Sequence, residues 1–118
     1  MSEIISLSHA KATLDESGVA CLTIQTENHL NILGSSVVAD LHKALVQLAT
    51  MKDIRVLVLR GQGDKAFVAG ANIKEMANLD RQRAEAFISG LCKLCEVVRH
   101  FPAPVIARIP GWCLGAGL

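Results

Sequence analysis

The alternation of apolar and polar residues predicts two strands near the N-terminus. Residues 4–8 form a short β candidate, and residues 19–26 alternate as a strand with one buried face does. Asp15, Ser17 and Gly18 lie before the second strand and supply the local hydrogen bonding and positive φ that turns need. We therefore expect these two strands to form an antiparallel pair.

The rest of the chain has the pattern of buried strands alternating with amphipathic helices. Residues 54–59 are a nearly unbroken aliphatic run, typical of strands buried on both faces of a parallel sheet, and we expect residues 105–109 to form a further buried strand. One helix is predicted before residues 54–59, capped by Ser35 or Ser36, and a second after them, capped by Asp80. Their apolar stripes are Val37, Val38, Leu41, Ala44, Leu45 and Leu48, and then Ala84, Phe87, Ile88, Leu91, Leu94 or Cys95, and Val98. This order predicts an α/β fold with parallel pairing and right-handed crossovers.

Composition narrows the class of protein. The 118 residues suit a single domain, and 51% hydrophobic against 19% charged residues excludes a disordered chain. The net charge of +1 comes without a basic patch, so no nucleic-acid partner is expected. No apolar run approaches the roughly 20 residues that cross a bilayer, so no membrane partner is expected either. Four cysteines without a secretory leader predict reduced thiols and a cytoplasmic location.

Two glycine-rich segments each follow a predicted buried strand. The first, residues 61–76, carries small residues at positions 69–71 before Asn72, a typical helix-start residue, and the second spans residues 110–118. Small side chains let a ligand approach the backbone, and N–H groups near a helix start lack internal partners. Two such turns side by side would aim two N–H donors at one point, as in an oxyanion hole. Glycine-rich turns are common, so the spacing alone favours a purely structural role.

The residues of both segments resemble the signature loops of the crotonase (enoyl-CoA hydratase/isomerase) superfamily. AFVAGANIKEM, residues 66–76, is similar to the first loop, and PVIA at 104–107 with GWCLGAG at 111–117 is similar to the second. Residues 28–33 match the family more loosely. The resemblance covers the chain but only the N-terminal half of a family member. It implies a crotonase-like (ClpP/crotonase) spiral of β-β-α units, truncated, in which residues 1–118 are the N-terminal part of the domain.

The same resemblance implies acyl-CoA chemistry. A CoA thioester is the expected substrate, with no covalently bound cofactor and no metal, and its carbonyl would lie between the backbone N–H groups of Ala71 and Ala116. Polarising that carbonyl either activates an enoyl β-carbon toward water or stabilises an enolate. The residues implied in CoA binding are Ala69, Gly70, Ala71, Asn72, Ile73, Lys74 and Gly115, with His29 and Leu30 as weaker candidates.

The chain departs from the family pattern at three points. Asn72 replaces the usual aspartate, and Ala116 replaces a glycine, so that a methyl group disfavours positive φ at the second donor. The resemblance places the two glutamates of the hydratases beyond residue 118, so neither position exists here, and Glu75 and Glu96 do not fall at matching positions. General acid–base catalysis needs a group within reach of the proton, so we expect little or no hydratase activity from this chain.

Two classes of function stay open. The chain is either the acyl-CoA-binding, carbonyl-polarising part of an enoyl-CoA hydratase/isomerase or a non-catalytic acyl-CoA binding or assembly module. Family members assemble as trimers or hexamers through C-terminal helices that we expect to be absent here. We therefore expect exposed apolar surface and self-association of the chain.

Other motifs favour structural interpretations. Cys92-x-x-Cys95 lies within the second predicted helix without a second pair at zinc spacing, which indicates buried or half-buried thiols, and Cys21 and Cys113 are interpreted as small core residues. No Gly-Lys-Ser/Thr follows the glycines, which excludes a P-loop.

Overall fold

Seven strands and three α-helices follow one another in the computed structural model, which describes residues 1–118. The elements are β1 (Ser2–Ser6), β2 (Ala10–Leu14), β3 (Val19–Ile24), α1 (Ser35–Ala49), β4 (Val56–Gly61), β5 (Ala66–Val68), α2 (Ile73–Ala77), α3 (Arg81–Arg99), β6 (Val105–Arg108) and β7 (Trp112–Cys113), and a 3₁₀ turn at Gly115–Gly117. No helix is both long and apolar enough to cross a membrane.

The larger sheet has five strands in the order β1-β2-β3-β4-β6. β3, β4 and β6 run parallel, which confirms the pairing expected from the strand–helix order. The predicted pairing of the two N-terminal strands is wrong, because β2 lies between β1 and β3 and pairs antiparallel with both. β2 escaped prediction because its buried face consists of Ala10 and Ala12, which have low β-propensity and little hydrophobic contrast.

The first helix supplies the largest part of the core. All six residues of its predicted stripe are buried, and α1 packs against α3 and β2. Its predicted cap is wrong: Gly34 occupies the N-cap position and provides no side-chain hydrogen bond. The Ser35 hydroxyl instead bonds to the carboxylate of Glu75, a residue outside this helix.

The second long helix and the last long strand are less buried than predicted. Asp80 caps α3 as expected, accepting a hydrogen bond from the N–H of Arg83 at 2.8 Å. Within the predicted stripe, however, only Phe87 and Leu94 are buried. Ile88 is 48% exposed because α3 contacts the rest of the chain along a narrow face. Cys92 and Cys95 are exposed, so their prediction as buried or half-buried thiols is wrong.

The prediction of residues 105–109 as a buried strand is also wrong in its burial. β6 is the edge strand of the sheet, with Val105 half-buried and Ile106 54% exposed. An aliphatic run indicates a strand with apolar surroundings on both faces, but nothing in this chain covers the outer face of β6. The apolar pattern therefore located the strand correctly and overestimated its burial.

Candidate functional site

The two glycine-rich segments are brought together by a small parallel sheet. β5 pairs with β7, with Ala66 opposite Trp112 and Val68 opposite Cys113. The N–H of Leu114 donates to the carbonyl of Val68 at 3.0 Å, so both loops leave the same edge of this sheet. We refer to residues 69–72 as the first loop and residues 114–117 as the second loop.

Glycines allow the two loop backbones to approach each other closely. Gly70 has φ +133° and Gly115 has φ +53°, conformations that other residues rarely adopt. A Cβ atom on Gly115 would lie 3.8 Å from the Cα of Gly70, an ordinary contact, so backbone conformation is the constraint at these two positions. A methyl group on Gly117 would collide with the carbonyl oxygen of Val68 at the end of β5. Glycine is therefore required at 70 and 115 for conformation and at 117 for close packing.

The first loop presents an unpaired backbone donor at Ala71. An isolated parallel bridge joins Leu33 to Ala71, in which the N–H of Leu33 donates to Gly70 and that of Asn72 donates to Leu33, each at 2.9 Å. In a parallel bridge the central residue directs its own N–H away from the partner. The N–H of Ala71 accordingly has no acceptor within the chain.

The second loop presents a comparable donor at Ala116. The 3₁₀ turn uses the N–H groups of Gly117 and Leu118, which donate to Leu114 and Gly115, and leaves that of Ala116 without an acceptor. Ala116 does not have positive φ. The methyl group that replaces the family's glycine therefore causes no backbone strain.

Asn72 and Glu75 connect the first loop to the first long helix. Asn72 begins α2, as predicted, its Oδ1 accepting from the N–H of Glu75 at 3.0 Å. The Glu75 carboxylate accepts from the N–H of Ser35 at 2.9 Å and from the Ser35 hydroxyl. Glu75 thus caps α1 from a different element, in place of a side chain at Gly34. The sequence hints at this contact in one way: Gly34, at the N-cap position, has no side chain that could cap α1.

The other predicted binding residues lie on or beside the first loop. Ile73 and Lys74 are exposed at the start of α2. The carbonyl of Leu30 accepts from the N–H of Ala69 at 3.0 Å, which places Leu30 against the loop. His29 is exposed, with φ +59°, and its imidazole lies beside Gly63.

Asn31 is a structural residue that the sequence pattern did not single out. Its side chain is fully buried, and its Nδ2 donates to the carbonyls of Ala66 at 3.0 Å and Gln62 at 3.3 Å. Its Oδ1 accepts from the Thr26 hydroxyl at 3.3 Å. These bonds tie the segment before α1 to the start of β5 and hence to the first loop. Asn31 also has a positive φ of 55°, a left-handed conformation that asparagine adopts more readily than most other residues.

An apolar cavity of about 360 Å³ adjoins the second loop. Phe67 and Leu94 line it from β5 and α3, and residues 116–118 form part of its wall. The proposed donor at Ala116 therefore lies at the border between solvent and an apolar space. Electrostatic interactions are stronger in such surroundings than in water.

Comparison with known proteins identifies the family. A family model described as enoyl-CoA hydratase/isomerase matches residues 15–118. The chain belongs to the enoyl-CoA hydratase/isomerase family. One relative is the mitochondrial enoyl-CoA hydratase domain-containing protein 2 of Bos taurus. It is 35% identical to this chain, and the match covers 86% of this chain and 34% of the relative. The crotonyl-CoA hydratase of Syntrophomonas wolfei is 31% identical over 86% of this chain and 39% of the relative.

Solved structures confirm the crotonase-like α/β fold. An enoyl-CoA hydratase/carnithine racemase from Magnetospirillum magneticum superposes with a TM-score of 0.87 at 32% identity, covering 95% of this chain and 42% of the other. An enoyl-CoA hydratase from Bacillus anthracis gives a TM-score of 0.87 at 31% identity, covering 93% and 43%. The chain thus spans about a third of the length of the first curated relatives and about two fifths of these structures.

Proposed function

We propose that this member of the enoyl-CoA hydratase/isomerase family binds an acyl-CoA thioester and holds its carbonyl oxygen between the N–H groups of Ala71 and Ala116. The supporting observation is that adjoining loops, held together by the β5–β7 pairing, carry backbone N–H groups at these positions that no acceptor in the chain uses. Ala71 is half-buried and Ala116 is exposed, and backbone N–H groups without partners favour a ligand oxygen over an apolar ligand.

The proposed chemistry is stabilisation of negative charge on the thioester oxygen. As the carbonyl is polarised, electron density moves onto oxygen, and each preorganised donor contributes about 3–4 kcal/mol to the transition state. Given a group outside this chain that moves the proton, the polarised thioester either accepts water at the β-carbon and then a proton at the α-carbon, or transfers an α-proton to that group and forms an enolate. Both reactions share the same two donors.

The proposed CoA contacts lie along the first loop and its surroundings. Residues 69–74 and Gly115 provide close backbone approach, while Lys74, exposed at the start of α2, offers a positive charge to the CoA phosphates. Leu30 supports the loop through its carbonyl, and the imidazole of His29 lies beside Gly63. CoA enters this scheme as part of the substrate.

The two glutamates that do not match the family's acids are engaged elsewhere. Glu75 caps α1, and Glu96 lies on the exposed side of α3, 3.3 Å from a guanidinium nitrogen of Arg99 and 3.3 Å from the ring of His100. Both carboxylates thus have partners of their own within the chain. We therefore propose that this chain by itself binds acyl-CoA and is inactive, or nearly so, as a hydratase.

Substitution of the first donor tests the binding proposal. Ala71→Pro removes the N–H, whereas Ala71→Ser retains it and serves as the matched control. Calorimetry with an enolate-mimicking acyl-CoA analogue should show affinity at least tenfold lower for Ala71→Pro, since a hydrogen bond to a charged acceptor contributes about 1.5–3 kcal/mol. Equal affinities of both variants, with unfolding curves that match the parent chain, would contradict the role of Ala71.

A direct assay tests the proposed inactivity of the chain. Incubation with crotonyl-CoA, followed by chromatography, should show no 3-hydroxyacyl product, both for a non-catalytic acyl-CoA module and for an incomplete enzyme. Sustained turnover that persists in Ala71→Ser and is lost in Ala71→Pro would favour the enzyme and disprove the proposed inactivity.

We further propose that the chain self-associates through its apolar C-terminal edge. The side chains of Ile106, Ile109, Trp112 and Leu118 are each at least 50% exposed. Several large apolar side chains exposed within one short segment favour contact between copies. Light scattering should show a mass that rises with concentration, and Ile106→Lys with Ile109→Lys should lower it. A constant monomer mass at high concentration would disprove self-association.

A further inference from the structure

Two arginines occupy neighbouring positions in the parallel sheet. Arg60 of β4 is the register partner of Arg108 of β6, and side chains of such partners project from the same face of a sheet. The preceding pair, Leu59 and Ala107, lines the apolar cavity beside the second loop. Because side chains alternate along a strand, the arginines lie on the opposite face. They therefore point away from the apolar cavity that adjoins the second loop.

Neither guanidinium is neutralised within the chain. Every ion pair of the structure lies on α3 or at its ends, between residues 80 and 100, and none includes Arg60 or Arg108. The only hydrogen bond from either side chain is a long one, 3.4 Å, from Nε of Arg60 to the carbonyl of Gly61. Like charges on directly neighbouring strand positions destabilise a sheet. A bound anion would remove this repulsion.

Both arginines line a cavity that suits an anion. Its volume is about 400 Å³, and its other lining residues are Gly61, Gly63, Asp64 and Pro110. The N–H groups of Gly63 and Asp64 have no acceptor within the chain. Asp64 is the one acidic residue of the lining, and it lies beyond 4.0 Å from both guanidinium groups. The cavity thus has an excess of positive charge and unused donors.

The location also favours a ligand site. The cavity lies at the carboxyl ends of β4 and β6, and ligands of parallel α/β sheets bind in the crevice beyond the carboxyl ends of the strands. Arginine presents a planar set of five N–H donors that matches the oxygens of phosphate, and two adjacent guanidiniums can each bind two oxygens.

We propose that Arg60 and Arg108 form a binding site for a phosphate dianion, distinct from the thioester site. The phosphate belongs either to a CoA molecule, as its 3′-phosphate, or to a separate phosphate-containing ligand. In either case the paired guanidinium groups bind the phosphate in the same way. The site does not depend on Ala71 or Ala116.

Titration with inorganic phosphate tests the site directly. Binding is followed by ³¹P NMR or calorimetry at constant ionic strength, with chloride replacing phosphate in the reference. Arg60→Gln and Arg108→Gln should each weaken phosphate binding by about tenfold or more, since hydrogen bonds to a charged group contribute about 1.5–3 kcal/mol. Arg81→Gln, which removes an arginine on α3 that is 93% exposed, should leave the affinity unchanged. Equal phosphate affinity in the parent chain and the Arg60→Gln/Arg108→Gln double variant would overturn the proposal.

Thermal unfolding is a second measurement, and it also shows whether the substitutions change the stability of the fold. In phosphate-free buffer the double variant should be at least as stable as the parent, because a repulsive pair has been removed. Added phosphate should raise the melting temperature of the parent and of Arg81→Gln but not that of the double variant. The same rise in all three proteins would overturn the proposal.

Comparison of CoA with dephospho-CoA, which lacks the 3′-phosphate, identifies the source of the phosphate. If the 3′-phosphate occupies the site, the double variant weakens binding of CoA and leaves binding of dephospho-CoA unchanged. If a separate ligand occupies it, phosphate and CoA bind simultaneously and the double variant affects phosphate alone. Either result supports the arginine site, and neither depends on recognition of the thioester.

Discussion

Removal of the Asn31 side chain should destabilise the protein far more than its position in a loop suggests. The Asn31→Ala substitution leaves the carbonyls of Ala66 and Gln62 without the donor they now share, in a region where the asparagine itself is fully buried. An unpaired buried carbonyl costs about 1–3 kcal/mol. The left-handed conformation at φ 55°, which asparagine tolerates better than alanine, adds about 1 kcal/mol. Because the bond to Ala66 is buried and the bond to Gln62 is only partly buried, we count one carbonyl, and the expected total is about 2–4 kcal/mol.

Urea unfolding followed by circular dichroism measures this loss. Asn28→Ala is the matched control, because Asn28 lies in the same segment but is exposed, and its one hydrogen bond, to the N–H of Leu30, is local. The control should lose no more than about 1 kcal/mol. A loss below about 1 kcal/mol for Asn31→Ala, equal to that of the control, would refute the assigned role of the buried amide. Trp112, the single tryptophan, reports separately on whether β7 has moved.

Three further predictions concern the surroundings of the loops. Glu75→Ala should lower the unfolding free energy by about 1–2 kcal/mol through loss of the α1 cap. The control is Glu85→Ala, which removes an exposed glutamate of α3. An equal loss in both variants would contradict the capping role. Gly61→Ala should prevent native packing, because its methyl group would collide with the Asn31 amide and the Phe67 carbonyl, and a near-native unfolding curve would disprove this contact. Ellman's reagent should label Cys92 and Cys95 rapidly and the half-buried Cys21 and Cys113 slowly; uniform labelling rates in native buffer would contradict the observed exposure.

The sequence predicted the elements that have strong hydrophobic contrast and missed those that lack it. The predicted stripe of α1 is correct at every position because apolar residues recur there at three- and four-residue steps among polar ones. β2 was missed because alanine provides its buried face, and this error alone produced the wrong antiparallel pair. For β6 the pattern described the strand but not its neighbours. Burial depends on what packs against a strand, and that information is not local.

The candidate site was only partly predictable for a related reason. The positions of Ala71 and Ala116 came from motif resemblance, and the structure adds the hydrogen bonds that explain why their N–H groups are unpaired. Asn31 and Glu75 act across 35 and 40 residues of sequence, on Ala66 and Ser35. Such contacts leave no periodic signal in the sequence, and only the folded arrangement shows them.

The source of the unpaired donors determines which substitutions the site tolerates. The N–H of Ala71 is unpaired because the carbonyl of Gly70 and the N–H of Asn72 are both bonded to Leu33. The identity of the side chain at Ala71 therefore matters little to the donor, provided that the residue keeps its N–H. The residues that hold the loops in place have no such freedom, since Gly117 contacts the Val68 carbonyl too closely for a methyl group. The site should thus keep its ligand affinity in Ala71→Ser, which changes the donor residue but keeps its N–H. It should lose that affinity in Gly117→Ala, which leaves both donor residues unchanged but displaces the second loop.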